Sequence, residues 1–314
     1  MNKGFREKCN TYCFISVIIP VYNDPRGIKD TLESLVNQDF LSENFEIIVT
    51  DNWSTDNTLD VVKKFMQKYP KLIRFVIEDT IQSSYAARNK GIKISKGSII
   101  AFIDADMTID KDWLTRIVNS LEKHQVDYLA CRVEIYLKEK STFGLYNKMT
   151  GFPVENYMNK NHFAPTCCLV VRRKVFDDVG LFDSRLFSSG DYEFGNRVFR
   201  SGYKLYYDSN IVMMHPARSS FKQIFYKFFR IGRGAQQISF YYPKYYKEMY
   251  RNNLNLRYYF PSKPWDFFRN MKGNKIWDKS SLFTKIGFYL INWEVNLATQ
   301  IGYSYEKLRK NKNK

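Results

Sequence analysis

Long apolar runs are missing from this 314-residue chain. No uninterrupted stretch reaches the length a bilayer-crossing helix needs. The polar start, residues 1–10, lacks the apolar core of a secretion signal. Cysteine is scarce. Cys9, Cys13, Cys131, Cys167 and Cys168 show no metal-type spacing, and the adjacent Cys167 and Cys168 read as small buried hydrophobes in an apolar run. That usage suits a reducing compartment and leads us to expect a cytoplasmic protein. No glycine-rich loop follows the first apolar strand, where Tyr22-Asn23-Asp24-Pro25-Arg26 stands instead. This disfavours a triphosphate-cradling nucleotidyltransferase. Acidic residues are nearly absent from the last 99 positions, which hold five of them against 20 Lys and Arg.

What remains is a body and an extension. Residues 1–215 carry 29 basic and 27 acidic side chains, so almost the whole net charge of +17 lies beyond them. Residues 216–314 also hold 24 of the 53 aromatics. We therefore divide the chain into a tail (1–13), a body (14–215) and a basic, aromatic, mainly helical C-terminal extension (216–314).

The body alternates strands and helices. Phe14 to Ile19, Phe45 to Val49, Leu72 to Ile77 and Ser98 to Ile103 are short apolar runs of the buried-strand kind. Between them, Ile28 to Val36, a segment capped at Asp56-Asn57-Thr58, and Ser84 to Ile94 have helical spacing. Such alternation specifies an α/β fold with a parallel sheet flanked by helices. Ligands in such sheets bind outside the strands' carboxyl ends. Those ends carry Pro20-Val21-Tyr22-Asn23-Asp24, Thr50-Asp51-Asn52 and Asp104-Ala105-Asp106. In extended backbone, positions i and i+2 face one side. Asp104 and Asp106 can then converge on a cation, which relieves their repulsion and binds a diphosphate. Farther along, Thr166 to Val171 reads as a strand and Arg173 to Val179 as a helix. Asp191 stands at the amino end of another helix, where the dipole favours a carboxylate. Ile211 to Met214 reads as a last strand, ending at His215.

These elements resemble glycosyltransferase family 2, the inverting enzymes of the GT-A fold. The resemblance rests on Ile15 to Asn23, Asp51-Asn52-Trp53-Ser54-Thr55-Asp56, Ala87-Arg88-Asn89-Lys90-Gly91, Asp104-Ala105-Asp106, Val171 to Phe176 with Gly180-Leu181-Phe182-Asp183, and Gly190-Asp191-Tyr192-Glu193. It implies a GT-A catalytic domain over 14–215, with a nucleotide-sugar half (14–107) and an acceptor half (108–215). Pro20 and Tyr22 would line the base pocket, Asp51 would bond the base, Arg88 would pair with nucleotide or phosphate, and Asp104 would touch the ribose. Asp106 would ligate Mn²⁺ or Mg²⁺, with His215 completing the metal site, and Asp191 would deprotonate the acceptor. The implied reaction moves a sugar from a nucleotide-diphosphate sugar, usually UDP-linked, to a hydroxyl of a glycan or lipid-linked acceptor. Trp53 stands where the family commonly has Gly, Asn52 where Asp is common, and Gly190 where an acid is common. No Gln-x-x-Arg-Trp element follows Asp191, which argues against a processive polysaccharide synthase.

Outside the motifs, Arg172, Arg173 and Lys174 read as a solvated turn, and His124 and His162 as structural. The extension contains two amphipathic segments. One has Phe221, Ile224, Phe225, Phe228 and Ile231 on a face. The other has Leu282, Ile286, Leu290, Trp293, Leu297, Ile301, Tyr305 and Leu308 at steps of three or four. Packing on the body or a second subunit, and contact with an anionic membrane surface, both remain open for them. The latter would place the protein peripherally on the inner face of the cytoplasmic membrane. A catalytically silent binder of anionic polymer is the alternative from outside enzymology; nucleic acid is not an expected partner.

Overall fold

A computed structural model describes residues 14–246 and 259–311. The tail 1–13, with Cys9 and Cys13, lies outside the described residues. The strands are β1 (Ile15–Val21), β2 (Phe45–Asp51), β3 (Ile73–Ile77), β4 (Ile99–Phe102), β5 (Thr108–Ile109), β6 (Tyr128–Tyr136), β7 (Leu169–Arg172) and β8 (Leu205–Pro216). The helices of the same region are α1 (Pro25–Val36), α2 (Thr58–Lys68), α3 (Ser84–Ile94), α4 (Trp113–His124), α5 (Thr142–Thr150), α6 (Val154–Asn161), α7 (Arg173–Val179) and α8 (Gly190–Arg200).

All eight strands join one sheet in the order β3-β2-β1-β4-β7-β6-β8-β5. The first four are parallel, in register Val21↔Asp51 and Ile18↔Phe102. β1, β2 and β4 are buried along nearly their whole length, which is why they read as unbroken apolar runs. The rest of the sheet differs from the parallel expectation. β7 runs antiparallel to both β4 and β6, and β5 antiparallel to β8. β6 has no counterpart in the sequence reading, and β8 extends six residues earlier than the strand expected at Ile211. Thr166 to Cys168 form a 3₁₀ turn ahead of β7 rather than its first half. Cys131, Cys167 and Cys168 are free and buried, and burial raises the thiol pKa of Cys131 and Cys168. Phe102, Phe176, Phe182 and Phe194 meet at ring separations of 4.6 to 6.1 Å in the layer joining β4 to α7 and α8.

Two compact units result. One comprises the described residues through Glu134, with Pro153–Arg185 and Asp191–His215. The other gathers Ile135–Phe152, Leu186–Gly190 and the chain from Pro216 onward. The second unit thus holds the described residues of the basic extension plus two short segments from earlier in the chain. Its further helices are α9 (Phe221–Tyr241), α10 (Pro243–Tyr246), α11 (Pro264–Met271), α12 (Lys275–Asp278) and α13 (Leu282–Asn311). Its core is Tyr146, Ile224, Phe267, Trp277, Phe288 and Ile291. At the crossing of α9 and α13 the backbones nearly touch. A Cβ on Gly232 would lie 1.9 Å from the Thr299 carbonyl oxygen, and one on Gly302 2.0 Å from that of Phe229.

Candidate active site

The first unit gathers most of the sequence-predicted residues at the carboxyl ends of its parallel strands. β1 ends beside Asp51, since Val21 pairs with it. Past β1, Asn23 adopts φ 50°, and past β2, Trp53 adopts φ 74°. The left-handed value at Trp53 is one that glycine reaches without penalty, whereas an indole-bearing residue costs about 1–2 kcal/mol there. The two loops are tied together: Asn23 N–H donates to Ser54 Oγ (2.9 Å), and Thr55 N–H to Asn23 Oδ1 (2.8 Å). Tyr22 and Trp53 project from them, 50% and 54% exposed, while Pro20 lies half-buried in β1. Asp51 is buried. Its Oδ2 accepts the Ser54 N–H at 2.9 Å, but Oδ1 has no partner. An orphan carboxylate oxygen at a strand end fits a ligand donor such as a base N–H. Asn52 faces the other way, donating to the carbonyls of Glu78 and Ile81 and so closing the 78–83 loop.

The two motif carboxylates take different partners. β4 ends at Phe102, and residues 104–107 form a turn in which Met107 N–H donates to the Asp104 carbonyl (3.2 Å). The backbone that carries them is therefore a turn, not the extended strand end expected from sequence. Asp104 Oδ1 accepts from Arg88 Nη2 at 2.6 Å, and Asp106 Oδ1 lies 3.8 Å from His215 Nε2. Arg88 and His215 are buried, whereas the two carboxylates are about one third exposed. Arg88 Nη2 is thus engaged by Asp104, while its Nε has no partner. Buried Thr31 of α1 anchors the turn by donating to the Met107 carbonyl at 2.7 Å. Sequence reasoning passed over it, because a lone Thr on a helix carries no chemical signal.

Asp191 stands in the first turn of α8, as expected. Tyr85, three residues before Arg88 on α3, donates its hydroxyl to Asp191 Oδ1 at 3.3 Å and lies 3.4 Å from the Asp191 backbone N–H. The Arg88 guanidinium carbon is 6.0 Å from the Tyr85 ring. A run of contacts therefore leads from Asp191 through Tyr85 and Arg88 to Asp104, two positions before Asp106 with its neighbour His215. Tyr85 too was missed, since its role depends on α8 meeting α3 across 106 residues.

Other charges turn out to be scaffolding. Glu193 is buried and paired with Arg197, whose guanidinium also donates to the carbonyls of Val179, Gly180 and Leu181. Arg172 and Lys174 pair with Asp127, Arg172 also with Glu122, and Arg173 donates to the Gly97 and Ser95 carbonyls. His124 stacks on Tyr206 and His162 on Phe199. Among the described residues no set of three or more His, Cys, Asp or Glu is arranged to hold an ion. Asp106 and His215 supply one oxygen and one nitrogen donor. That set would suit a divalent cation only with further ligands from outside the protein, such as a diphosphate and water.

A mixed sheet with polar groups at its parallel carboxyl ends, and a carboxylate brought up from a later helix, is the GT-A glycosyltransferase architecture. Solved structures agree. A mannosyltransferase from Pyrobaculum calidifontis, in complex with GDP-Man and Mn²⁺, aligns with a TM-score of 0.63 over 95% of this chain and 88% of that one, at 18% identity. S. aureus TarS 1-349 in complex with UDP-GlcNAc aligns with a TM-score of 0.55 over 95% and 92%, at 19% identity. The family model "Glycosyl transferase family 2" matches residues 16–180, and this chain belongs to that family. "Glycosyltransferase AglE" of Haloferax volcanii is 36% identical over 230 residues, 73% of this chain and 75% of the relative. A dolichyl N-acetyl-alpha-D-glucosaminyl phosphate 3-beta-D-2,3-diacetamido-2,3-dideoxy-beta-D-glucuronosyltransferase of Methanococcus voltae is 28% identical over 225 residues, 67% and 69% of the two chains. The protein is a glycosyltransferase, and the enzyme reading is the one these findings support.

Proposed function

We propose that the protein is a metal-dependent, inverting transferase that moves a sugar from a UDP-sugar to a hydroxyl of a glycan or lipid-linked acceptor on the cytoplasmic side. The run of contacts from Asp191 through Tyr85 and Arg88 to Asp104 carries this reading, because it sets a carboxylate base near the strand-end acids. Pro20 and Tyr22 line the base pocket. Asp51 Oδ1 accepts from the base. Asp104, oriented by Arg88, reaches the ribose. Asp106 and His215 are the protein ligands of Mn²⁺ or Mg²⁺. Bound there, the ion would neutralise charge on the departing diphosphate.

Asp191 accepts the acceptor hydroxyl's proton as that oxygen bonds to the anomeric carbon and the bond to phosphate breaks. One displacement with one base inverts the anomeric centre. Tyr85 fixes the carboxylate before the acceptor arrives, and the rigid sheet holds both substrates in line.

Titration calorimetry of UDP-sugars with Mn²⁺ tests the donor site: Asp106→Ala should abolish the metal-dependent binding. Asp191→Asn should bind normally and lose turnover by about 10²–10⁴-fold, the usual worth of a general base. Normal turnover in Asp191→Asn would overturn the base assignment. Screening nucleotide sugars by thermal shift identifies the donor.

A further inference from the structure

We propose that the outward stripe of α13 docks the protein in the plane of an anionic lipid surface. The stripe is the run picked out above: Leu282, Ile286, Leu290, Trp293, Leu297, Ile301, Tyr305 and Leu308. Leu297 in it is half-buried, Tyr305 lies 5.6 Å from the Phe229 ring and Trp293 Nε1 donates to the Tyr259 carbonyl, but Leu282, Ile286, Leu290, Ile301 and Leu308 stand exposed. The main buried face of α13 is a different one. Phe288, Ile291, Ala298 and Tyr303 are the buried apolar residues, and Gly302 lies against α9. Leu282 is 68% exposed, Phe283 87%, Leu290 51% and Leu308 64%. From Leu282 to Leu308 the stripe runs for about 39 Å at 1.5 Å per residue. Scattered exposed hydrophobics are ordinary on a protein surface, but several aligned along one helix signal an occupant.

Charge identifies that occupant. The two acids of α13, Glu294 and Glu306, are both buried, and Glu306 is bound by Arg233 and Gln237. The outward face therefore carries no carboxylate. Lys285 lies near its start and Lys307 and Arg309 near its end, whereas Lys310 turns inward over the Phe240 and Tyr241 rings. In the neighbouring α11, Phe267 packs on Tyr289 of α13, while Trp265 is 85% exposed and follows Lys263 after one proline. Apolar and aromatic groups flanked by cations match a bilayer interface with anionic headgroups. A second copy of the chain is a poorer match, since it would set two strongly basic extensions against each other. No described helix is long and apolar enough to cross a membrane, so α13 lies along the surface.

Flotation of the full chain with phosphatidylglycerol–phosphatidylcholine vesicles, against pure phosphatidylcholine, tests this. The protein should float with the anionic vesicles, less so at high salt, and its tryptophan emission should shift to the blue. The triple variant Leu282→Ser, Phe283→Ser, Leu290→Ser alters only exposed side chains, so its melting temperature should hold. Its vesicle affinity should fall at least about tenfold. Replacing Lys307 and Arg309 by Gln should weaken binding to anionic vesicles only. No flotation, or flotation unchanged in the triple variant, overturns the proposal. So does a soluble dimer, seen by ultracentrifugation, that the triple variant dissociates and that does not float. None of these readouts involves sugar transfer, so the result is independent of the reaction proposed above.

Discussion

Tyr85 shows how one side chain can govern a site without entering its chemistry. Its hydroxyl is held near both the carboxylate and the backbone N–H of Asp191, fixing the rotamer of the proposed base. The same α3 turn carries Arg88, so one helix orients both Asp191 and Asp104. Replacing Tyr85 by Phe removes one hydrogen bond and little volume. Such a bond is worth about 1 kcal/mol, so kcat should fall about fivefold with the donor KM unchanged. Steady-state kinetics on a UDP-sugar checks this. A purely structural role would instead lower the melting temperature and leave kcat alone. At this scale the motif residues were legible, because Asp51, Arg88, Asp104, Asp106 and Asp191 carry charges at characteristic spacings. Their partners were not. Thr31 and Tyr85 are ordinary helix residues until the fold brings Met107 and Asp191 to them.

The parallel half of the sheet could be read from sequence because burial on both faces writes itself as continuous apolar runs. In the antiparallel half, β7 and the end of β8 were read as strands, but β6 and the strand direction were not, because the pairing of β7 with β4 and β6 joins distant stretches of chain. Among helices, α9 and α13 were visible as amphipathic segments, but not which face of α13 would be buried. The glycines decide that. Gly232 and Gly302 allow the two backbones to close on each other, which a Cβ at either position would prevent. Gly302→Ala should therefore destabilise the second unit by about 1–3 kcal/mol, the usual cost of overpacking. Urea unfolding of the full chain measures it. A change below a few tenths of a kcal/mol would mean that the helices can part without cost.

Over the whole molecule, charge and burial set the response to pH. Glu294 is buried in the second unit, its Oε1 has no partner, and burial lifts its pKa to about 7. The folded acid keeps its proton over a range in which the unfolded one, with an ordinary value of 4.5, has lost it. Stability from this group is thus full below the ordinary value and falls as pH rises through about 7. Glu46, in the first unit, has the opposite sign. Burial alone would raise its pKa, but Arg74, the Lys96 N–H and Ser16 hold it below the usual range. Its contribution is present above the ordinary carboxylate value and is lost in acid. Calorimetric scans between about pH 5 and pH 8 should show the melting temperature dropping as pH rises. Glu294→Gln should flatten that slope without altering the acid limb.

The sequence by itself determined the α/β body, the residues that crowd the strand ends, and the separation of a near-neutral front from a basic, aromatic extension. These follow from local pattern: periodic burial, strand-end polarity and charge counted along the chain. Tertiary structure alone decided that Asp104 goes to Arg88 while Asp106 goes to His215. It also decided that Trp53 takes a glycine's conformation, and that α13 turns its longer apolar stripe outward. Each depends on which segments, distant in sequence, come within a few ångströms of one another, and residue spacing along one chain does not encode that distance.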